Sequence, residues 1–311
     1  MISSLELAKL CGVSQGTVDR ALHNRKGISR KTQEKILAKA AEYAYMPNPA
    51  AREIITGKSK TVVALIPSLQ SPFFMDMMAA IKNRLNEDGL RLLISTINDL
   101  EEMILLLNEF ATRKYLAAII IPPTEKILIP EHISKMKIIS LLVPCIGENT
   151  FYITPDEVKL GEKATQLIID KGHRNIAHII PKRRSLPIRN RLRGYKNVMR
   201  QNELIPFIED AGEEASILSL VREKGITAFF CHNDWIALSI IRILENNRIS
   251  VPNDVSIMGV DNSYTFTSLY PDITTIEYPL SWLADEVANT IKGNHNTKMF
   301  ADFKIIKRRT L

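Results

Sequence analysis

Apolar residues in the first 46 positions recur every three or four residues, which is the spacing of short amphipathic helices. Residues 3–6, with the sequence Ser-Ser-Leu-Glu, form a capping box and predict a helix that Gly12 ends. Ser14 is the predicted N-cap of a second helix. One apolar stripe on this helix consists of Val18, Ala21 and Leu22. The pattern therefore predicts two helices joined by a tight turn.

A third helix is predicted to begin at Ser29 and to end before Pro47, because proline cannot continue a helix. Its predicted buried residues are Ile36, Leu37, Ala40 and Ala41. Residues 1–46 are thus expected to form a small all-α module.

Residues 47–57 carry the start and stop signals of a further short helix. Asn48 is its predicted N-cap, Pro49 takes the first helical position, and Gly57 is the stop. Only eight residues lie between cap and stop, fewer than the roughly 12–15 at which an isolated helix becomes marginally stable in water. We expect this segment to be helical only when it docks against a partner.

From Lys60 onward, strand-like apolar runs alternate with helical patterns, which indicates a parallel, doubly wound sheet. Strands are predicted at 61–66, 91–96, 117–121, 138–143, 176–180, 227–231 and 255–260. Helices are predicted near 74–85, 101–114, 158–171, 190–202, 213–224, 234–247 and 280–292. These elements are enough for two α/β lobes.

Composition narrows the class of protein. A length of 311 residues allows two or three domains of roughly 100–200 residues each. With 45% hydrophobic residues and no apolar run near about 18 residues, the chain is expected to be neither disordered nor an integral membrane protein. Its three cysteines lie far apart and predict neither a disulfide framework nor a zinc site. The first residues lack a secretory signal, so a reducing, cytoplasmic location is expected.

Positive charge is concentrated near the N-terminus. Residues 1–58 hold ten Lys or Arg against five Asp or Glu, which accounts for most of the formal net charge of +7. Binding to a phosphate polyanion requires a small basic module of this kind, although a solvated basic tail would have the same charge.

The two predicted helices at 4–22 have the form of a helix–turn–helix, in which the second helix enters the major groove of DNA. Arg20 suits guanine or a phosphate, and Gln15 suits adenine. On charge and spacing alone, a small helical bundle with a solvated polar face explains the pattern equally well. The candidate DNA contacts of this module are Ser14, Gln15, Gly16, Thr17, Asp19, Arg20 and His23.

Residues 7–24, LAKLCGVSQGTVDRALHN, closely resemble the signature of the lactose-repressor family of bacterial transcription regulators. Segments 28–32 and 45–48 are similar to the third helix of that family and its exit, and 51–57 to its hinge helix. Further matches follow in family order at 172–177, 233–238, 251–257 and 271–276. The resemblance covers nearly the whole chain.

This resemblance implies a helix–turn–helix domain at 1–46, a hinge helix at 47–58 and a core at 59–311. The core is expected to be a two-lobed α/β periplasmic-binding-protein-like (type I) fold with parallel sheets. Lobe 1 would span about 60–157 and 280–298, and lobe 2 about 158–279 and 299–311. The implied function is a transcriptional regulator, expected to be a repressor, that binds near-palindromic double-stranded operator DNA as a homodimer. A small-molecule effector, expected to be a carbohydrate, would bind between the lobes.

The resemblance also implies site residues. In the hinge, Asn48, Ala51 and Ile54 are expected to contact DNA, with Ile54 as an apolar wedge in the minor groove. The expected effector contacts are Phe73, Phe74, Asp156, Arg191, Phe230, Asn233 and Asp261. A planar donor fork, a carboxylate and aromatic rings suit a polyhydroxylated ring or a purine.

Several of these residues have a structural alternative. One of Phe73 and Phe74 is expected to belong to the core, and Asn233 can serve as a helix N-cap. Arg191 lies among other arginines, where a solvated basic loop is the simpler explanation. Asp261 follows a buried strand, where open α/β sheets place their ligands.

Enzymatic function has little support, because the sequence contains no Walker loop, His-Glu-x-x-His, Gly-x-Ser-x-Gly or Cys/His ligand set. No cofactor, catalytic residue or metal site is therefore expected. Two rival hypotheses are a sugar-binding receptor that uses only the two-lobed core and an enzyme built on the same scaffold. The receptor has no use for the basic module at residues 1–57.

The chain departs from the commoner family pattern at Gly16 and Asp19, so no operator sequence can be transferred from a relative. Asp19 brings a carboxylate towards a polyanion and needs a donor there. That donor is either a cytosine amino group, which would make Asp19 a base reader, or one of Arg20, Arg25 and His23. A tolerated, solvent-facing acid is the third possibility.

Overall fold

The computed structural model describes residues 2–46, 59–293, 300 and 302–311. The chain divides into two compact units, Met1–Lys58 and Ser59–Leu311. The hinge predicted at 47–58, with its DNA contacts Asn48, Ala51 and Ile54, lies outside the described residues, and so do 294–299.

The first unit is built from three short helices whose starts are fixed by serine caps. Ser3 and Glu6 form the complete capping box of the first helix, and Gly12 ends that helix in the left-handed conformation. Ser14 and Ser29 each accept a backbone hydrogen bond at the start of the next two. The helices are α1 (Ser4–Cys11), α2 (Gln15–Leu22) and α3 (Arg30–Glu42).

The core of this unit is small. It consists of Leu7, Ala8, Cys11, Val18, Ala21, Ile36 and Ala40. The prediction that Leu37 and Ala41 are buried was wrong, because both are exposed. A three-helix unit can cover only one narrow stripe of α3, and Ile36 with Ala40 fills it.

The first lobe of the second unit is a five-stranded parallel sheet in the order β2-β1-β3-β5-β7. These strands are β1 (Thr61–Ile66), β2 (Arg91–Thr96), β3 (Ala117–Ile120), β5 (Lys137–Leu141) and β7 (Thr150–Ile153). Two more short strands, β4 (Ile127–Leu128) and β6 (Cys145–Ile146), pair separately. The helices of this lobe are α4 (Pro72–Glu87) and α5 (Leu100–Thr112).

The second lobe is a six-stranded sheet in the order β13-β12-β11-β10-β8-β9, parallel except at β13. Its strands are β8 (Ile176–Ile180), β9 (Phe207–Asp210), β10 (Ala228–Cys231), β11 (Ser256–Asp261), β12 (Thr274–Glu277) and β13 (Lys304–Ile306). Its helices are α6 (Glu157–Asp170), α7 (Leu186–Gln201), α8 (Glu214–Arg222), α9 (Asp234–Asn246) and α10 (Tyr264–Leu269). Helix α11 (Leu280–Lys292) follows β12 and packs on α4 of the first lobe.

The chain passes between the lobes after β7 and again after β12, and Pro155 pairs with Phe300 beside these crossings. One apolar core continues through both lobes, from Val62 and Ile81 to Phe230 and Val260. The carboxyl ends of the strands near the crossings are therefore held in fixed positions.

The pattern did not predict the short strands β4, β6, β7, β9, β12 and β13 or the short helix α10. Each has two to six residues, too few for a clear period of apolar positions. No helix among the described residues is long and apolar enough to span a bilayer.

Candidate functional site

Helix α2 presents a polar face from a well-defined position. The Ser14 hydroxyl accepts from the Thr17 amide at 3.2 Å and lies 2.9 Å from the Thr17 hydroxyl. Burial of Val18 and Ala21 sets the rotation of the helix, so that Gln15, Gly16 and Arg20 are exposed on the other side. These three residues, which the sequence predicts to contact DNA, are therefore exposed together on α2.

The side chains on that surface differ in how they are held. The Gln15 amide donates to the Ser4 hydroxyl of α1 at 2.5 Å. This hydrogen bond directs the Gln15 side chain towards α1. Arg25 donates to the Asp19 carboxylate at 3.0 Å, and His23 Nδ1 lies 3.2 Å from the same carboxylate. Arg20 makes no side-chain hydrogen bond to another described residue. Of the three side chains considered as partners for Asp19, Arg25 and His23 are therefore the ones in contact.

In the second unit, a buried ion pair joins the start of α6 to the middle of α7. Arg191 donates to Glu157 Oε2 from Nε at 2.9 Å and from a terminal nitrogen at 2.7 Å. The Tyr278 hydroxyl donates to the other oxygen, Oε1, at 2.9 Å. Burial lowers the pKa of Arg191, but the negative groups around it, Glu157 first and then Asp261 and Tyr278, together outweigh burial and raise it. Arg191 lies on a helix and is 3% exposed, so it does not belong to a solvated loop.

Two glycines bring α6 and α7 close enough for this pair to form. A Cβ atom at Gly161 would overlap the carbonyl oxygen of Arg191, and one at Gly194 would overlap that of Val158. Any larger residue would push the helices apart and lengthen the contact between Glu157 and Arg191.

A second buried carboxylate, Asp234, begins α9. Its oxygens accept from the Thr275 hydroxyl at 2.7 Å and from the Ser263 amide at 3.2 Å. A Cβ at Gly259 would overlap this carboxylate, so the glycine provides the space it occupies. Burial raises the pKa of Asp234 to about 7 despite those hydrogen bonds.

Asp261, the last residue of β11, has an unusual backbone. Its φ is 105° and that of Asn262 is 52°, both in the left-handed region. Such conformations cost about 1–3 kcal/mol each in residues other than glycine and cluster at functional sites. Burial raises the pKa of Asp261 well above its ordinary value, the Asp234 carboxylate adds to the shift, and Arg191 opposes it. No described residue forms a hydrogen bond to the Asp261 carboxylate.

The other residues expected to bind an effector are dispersed. The ring of Phe73 on α4 meets Tyr278 edge-on at 4.9 Å, and Phe74 lies 5.5 Å from Phe73. Phe230 is fully buried and stacks on His178 at 4.2 Å. Their roles as effector contacts stay predictions.

Two of those residues act as helix caps. Asn233 Oδ1 accepts from the Ile236 amide at 3.0 Å, and Asp156 Oδ1 accepts from the amides of Val158 and Lys159 at 3.1 Å. The structure therefore groups Arg191, Asp261 and Phe73 around Tyr278 and Glu157, and leaves the two caps and Phe230 in supporting positions.

Sequence reasoning missed Glu157, Tyr278 and Asp234. Glu157 follows Asp156 at the start of a predicted helix, where a carboxylate is favourable and draws no attention. Their importance depends on contacts between distant parts of the chain.

A depression of about 360 Å³ lies where β11 and β12 end, beside the crossings. It is lined by Asp261, Asn262, Glu277, Tyr278, Pro279, Leu280, Ser281, Trp282, Phe300, Asp302 and Lys304. Nearby, the Ser263 hydroxyl donates to Asp76 of α4 at 2.7 Å and thereby links the lobes.

Residues 5–48 match the bacterial regulatory proteins of the lacI family, and residues 165–297 match the periplasmic binding protein-like domain. The chain belongs to the lactose-repressor family. The family expected from the sequence motifs is thus confirmed, together with its helix–turn–helix domain and two-lobed core with parallel sheets. Membership makes the chain a transcriptional regulator rather than an enzyme.

Relatives match this chain over nearly its whole length. The transcriptional regulator DegA of Bacillus subtilis is 29% identical, and the match covers 97% of this chain and 94% of DegA. The lac repressor dimer bound to operator and the anti-inducer ONPF has a TM-score of 0.84 at 22% identity, covering 99% and 98% of the two chains. A complex of the regulator CelR with cellobiose has a TM-score of 0.66 at 20% identity, with both chains covered completely.

Proposed function

We propose that this lactose-repressor-family regulator is a cytoplasmic repressor that binds near-palindromic operator DNA as a homodimer. The observation that supports DNA binding best is α2, a serine-capped helix whose exposed face carries Arg20 while its other face is buried. A single helix of this kind reads few base pairs, and two-fold dimers read two-fold sites.

Ser14, Thr17 and Gly16 lie at the amino end of α2, where free amides and a small residue favour close approach to phosphate. Gln15 would have to leave Ser4 to reach a base. Asp19 would act by holding Arg25 and His23 in position. Asn48, Ala51 and Ile54 would add minor-groove contacts from the hinge.

We further propose that a small molecule binds between the lobes at the ends of β11 and β12 and changes operator affinity. Asp261 supports this placement, because it combines a left-handed backbone, a carboxylate that accepts no hydrogen bond from a described residue and a position beside a depression. The cellobiose complex of CelR makes a carbohydrate or a carbohydrate derivative the first class to consider.

The DNA-binding proposal is tested by selecting duplexes from a randomised library with the full chain and measuring affinity for the selected site. Arg20→Ala should weaken binding, whereas Arg222→Ala, an exposed arginine of α8, should not. Sedimentation of the complex should show a dimer on one duplex. Failure to enrich any sequence, or a complex with one protomer, would contradict the proposal.

Effector binding is tested separately by thermal shift, because a ligand at 100 times its dissociation constant stabilises by about 2.7 kcal/mol. A ligand that shifts the unfolding temperature should also change operator affinity. Asp261→Asn should weaken that ligand and leave operator binding by the free protein intact.

A further inference from the structure

The left-handed turn, which we define as residues 261–263, is held through the amides of two of its residues. The Asn262 amide donates to the Thr275 hydroxyl at 3.3 Å, and the Ser263 amide donates to Asp234 at 3.2 Å. Left-handed conformations of residues other than glycine persist only where the surrounding structure over-determines them. Side-chain contacts of the turn are therefore expected to contribute to its conformation.

The Asn262 side chain is anchored by Arg308, a residue near the C-terminus of the chain. Arg308 Nη2 donates to Asn262 Oδ1 at 2.8 Å, and Nη1 donates to the carbonyl oxygen of Ile273 at 2.7 Å. Arg308 is half-buried and forms no ion pair with a carboxylate of a described residue. Its planar fork thus joins the left-handed turn to the backbone that precedes β12, and a side chain with one donor group could not bind both acceptors.

The segment that carries Arg308 is anchored independently of the guanidinium. Strand β13 pairs with β12, and Thr310 is 1% exposed. The Thr310 hydroxyl donates to the carbonyl oxygen of Ile257 at 2.7 Å and accepts from the Thr274 amide at 2.8 Å. The backbone at Arg308 should therefore stay beside the turn when the guanidinium is removed, so that the contribution of the guanidinium can be measured by itself.

The left-handed turn determines where the Asp261 carboxylate lies. This carboxylate is close enough to Asp234, Arg191, Glu157 and Asp76 to interact with their charges. Asp76 belongs to α4 of the first lobe, so Asp261 lies where the two lobes face each other. Because the direction of a side chain follows from the φ and ψ of its own residue, a change in the turn would move the carboxylate relative to these neighbours.

We propose that Arg308 is a positioning residue of the effector site, which holds Asn262 and thereby keeps Asp261 in its left-handed conformation. This proposal rests on the effector site proposed above and adds the C-terminal segment to it. Arg308 is not expected to touch the effector, because both of its terminal nitrogens are already bound within the chain.

Hydrogen exchange of the full chain without ligand measures the turn directly. In Arg308→Met, the amides of Asn262 and Ser263 should exchange about tenfold faster than in the wild type, since a supporting hydrogen bond is lost. The matched control is Arg309→Met, because Arg309 is exposed and pairs with Asp272. This control should leave both amides within about twofold of the wild type. Unchanged exchange in Arg308→Met, or an equal increase in both variants, would overturn the proposal.

A second substitution tests whether Arg308 acts through Asn262. Glycine adopts the left-handed conformation without strain and offers no side chain for Arg308 to hold. In the Asn262→Gly background, Arg308→Met should change exchange of the Ser263 amide by less than about threefold. An effect of about tenfold in this background would show that Arg308 only docks the C-terminal strand, and would refute the positioning role.

A variant with a single donor group extends the series. Arg308→Lys keeps the charge but can bind only one of the two acceptors, so its exchange rate at Ser263 should lie between those of the wild type and Arg308→Met. If Arg308→Met lacks cooperative urea unfolding, Arg308→Lys takes its place beside Asn262→Gly, and an additive effect of the two substitutions would contradict the proposal.

Titration calorimetry with glucose, galactose, ribose and cellobiose relates the turn to effector binding. For each of these sugars that the wild type binds, Arg308→Met should raise the dissociation constant about fivefold or more, and Arg309→Met should not. An unchanged dissociation constant in Arg308→Met would overturn the positioning of Asp261. If none of the four sugars binds, hydrogen exchange decides the role of Arg308.

Operator binding by the free protein is measured in the same preparations. If Arg308→Met loosens the turn but the wild type binds no operator, the proposed regulator function fails while the role of Arg308 stands. If the operator is bound and the turn is unaffected, the positioning role fails by itself.

Discussion

Each unit of this regulator contains an acid–arginine pair, and the two pairs lie in opposite environments. Asp19 and Arg25 meet on the surface of the helix–turn–helix unit, with side chains 40% and 51% exposed. Glu157 and Arg191 meet in the core with side chains 3% and 4% exposed. The N–O distances are 3.0 and 2.7 Å, so burial differs far more than geometry.

This difference determines what each pair can do. An exposed ion pair contributes about 0–1 kcal/mol to the free energy of unfolding. Its arginine can therefore exchange the carboxylate for a DNA phosphate at little cost. A buried pair cannot lose one member without leaving a charge in the core. The surface pair is therefore suited to recognition, and the buried pair to holding α6, α7 and Tyr278 together.

The largest expected effect comes from breaking the buried pair. Glu157→Ala should lower the free energy of unfolding by about 3–5 kcal/mol, because Arg191 keeps its charge without a partner. Urea denaturation of the full chain measures this change. Replacing both residues, Glu157→Leu with Arg191→Met, should recover most of the loss. If Glu157→Ala alone changes the free energy of unfolding by less than about 1 kcal/mol, Glu157 and Arg191 do not form a buried ion pair.

Asp234 extends the comparison to a buried acid that forms no ion pair with another described residue, although Arg308 lies close enough to oppose the rise of its pKa. Its folded-state pKa of about 7 exceeds the ordinary 3.8, so the folded protein holds a proton that the unfolded chain releases. The stabilisation that this bound proton gives the folded state is complete below about pH 4. It is lost as the pH rises towards 7, at roughly 1.4 kcal/mol per pH unit.

Urea denaturation between pH 5 and 7 checks the Asp234 expectation. The wild type should lose stability relative to Asp234→Asn as pH increases, because the variant cannot titrate at this position. Parallel curves for the two proteins would show that Asp234 is already ionised at pH 5.

Arg20 tests the exposed surface, because its replacement breaks no side-chain hydrogen bond or ion pair with another described residue. Arg20→Ala should weaken operator binding by about 1–3 kcal/mol if the guanidinium reads a base. If it contacts a phosphate, the slope of log affinity against log salt should instead become shallower by about 0.9. Fluorescence anisotropy across salt concentrations distinguishes these cases, with Arg222→Ala as the control. An unchanged affinity and slope would remove Arg20 from the interface.

The smallest effect on stability is expected at Asp19. Asp19→Ser should change the free energy of unfolding by less than about 1 kcal/mol, because its pair with Arg25 is exposed. If Asp19 positions Arg25, operator libraries selected with Asp19→Ser and Arg25→Ala should lose preference at the same base positions. If base preference at one operator position is lost with Asp19→Ser but kept with Arg25→Ala, Asp19 reads that base directly.

Local signals explain why much of the fold could be predicted. Ser3, Glu6 and Ser14 accept hydrogen bonds from amides within a few residues, and the Gly12 amide donates to carbonyl oxygens of the last turn of α1, so these effects are visible in a short stretch of sequence. Leu37 shows the limit, because helical spacing predicts a stripe but not how much of it the neighbouring helices cover.

The site was predicted less completely. The motif around Asp261 indicated a residue at a strand end, and the structure adds its left-handed backbone and a carboxylate that accepts no hydrogen bond from the residues it describes. Resemblance drew attention to Arg191 as an effector contact, but no local pattern could reveal that Glu157 and Tyr278 already bind it.

The sequence by itself determined the serine caps at which the helices of the first unit begin, that strands and helices alternate beyond Lys60, and that the first unit is basic. Only the tertiary structure decided the partners of the buried charges. Glu157 lies 34 positions from Arg191 and 121 from Tyr278 along the chain. These groups meet because α6 and α7 approach at Gly161 and Gly194, and a contact between distant segments depends on packing that no local pattern encodes.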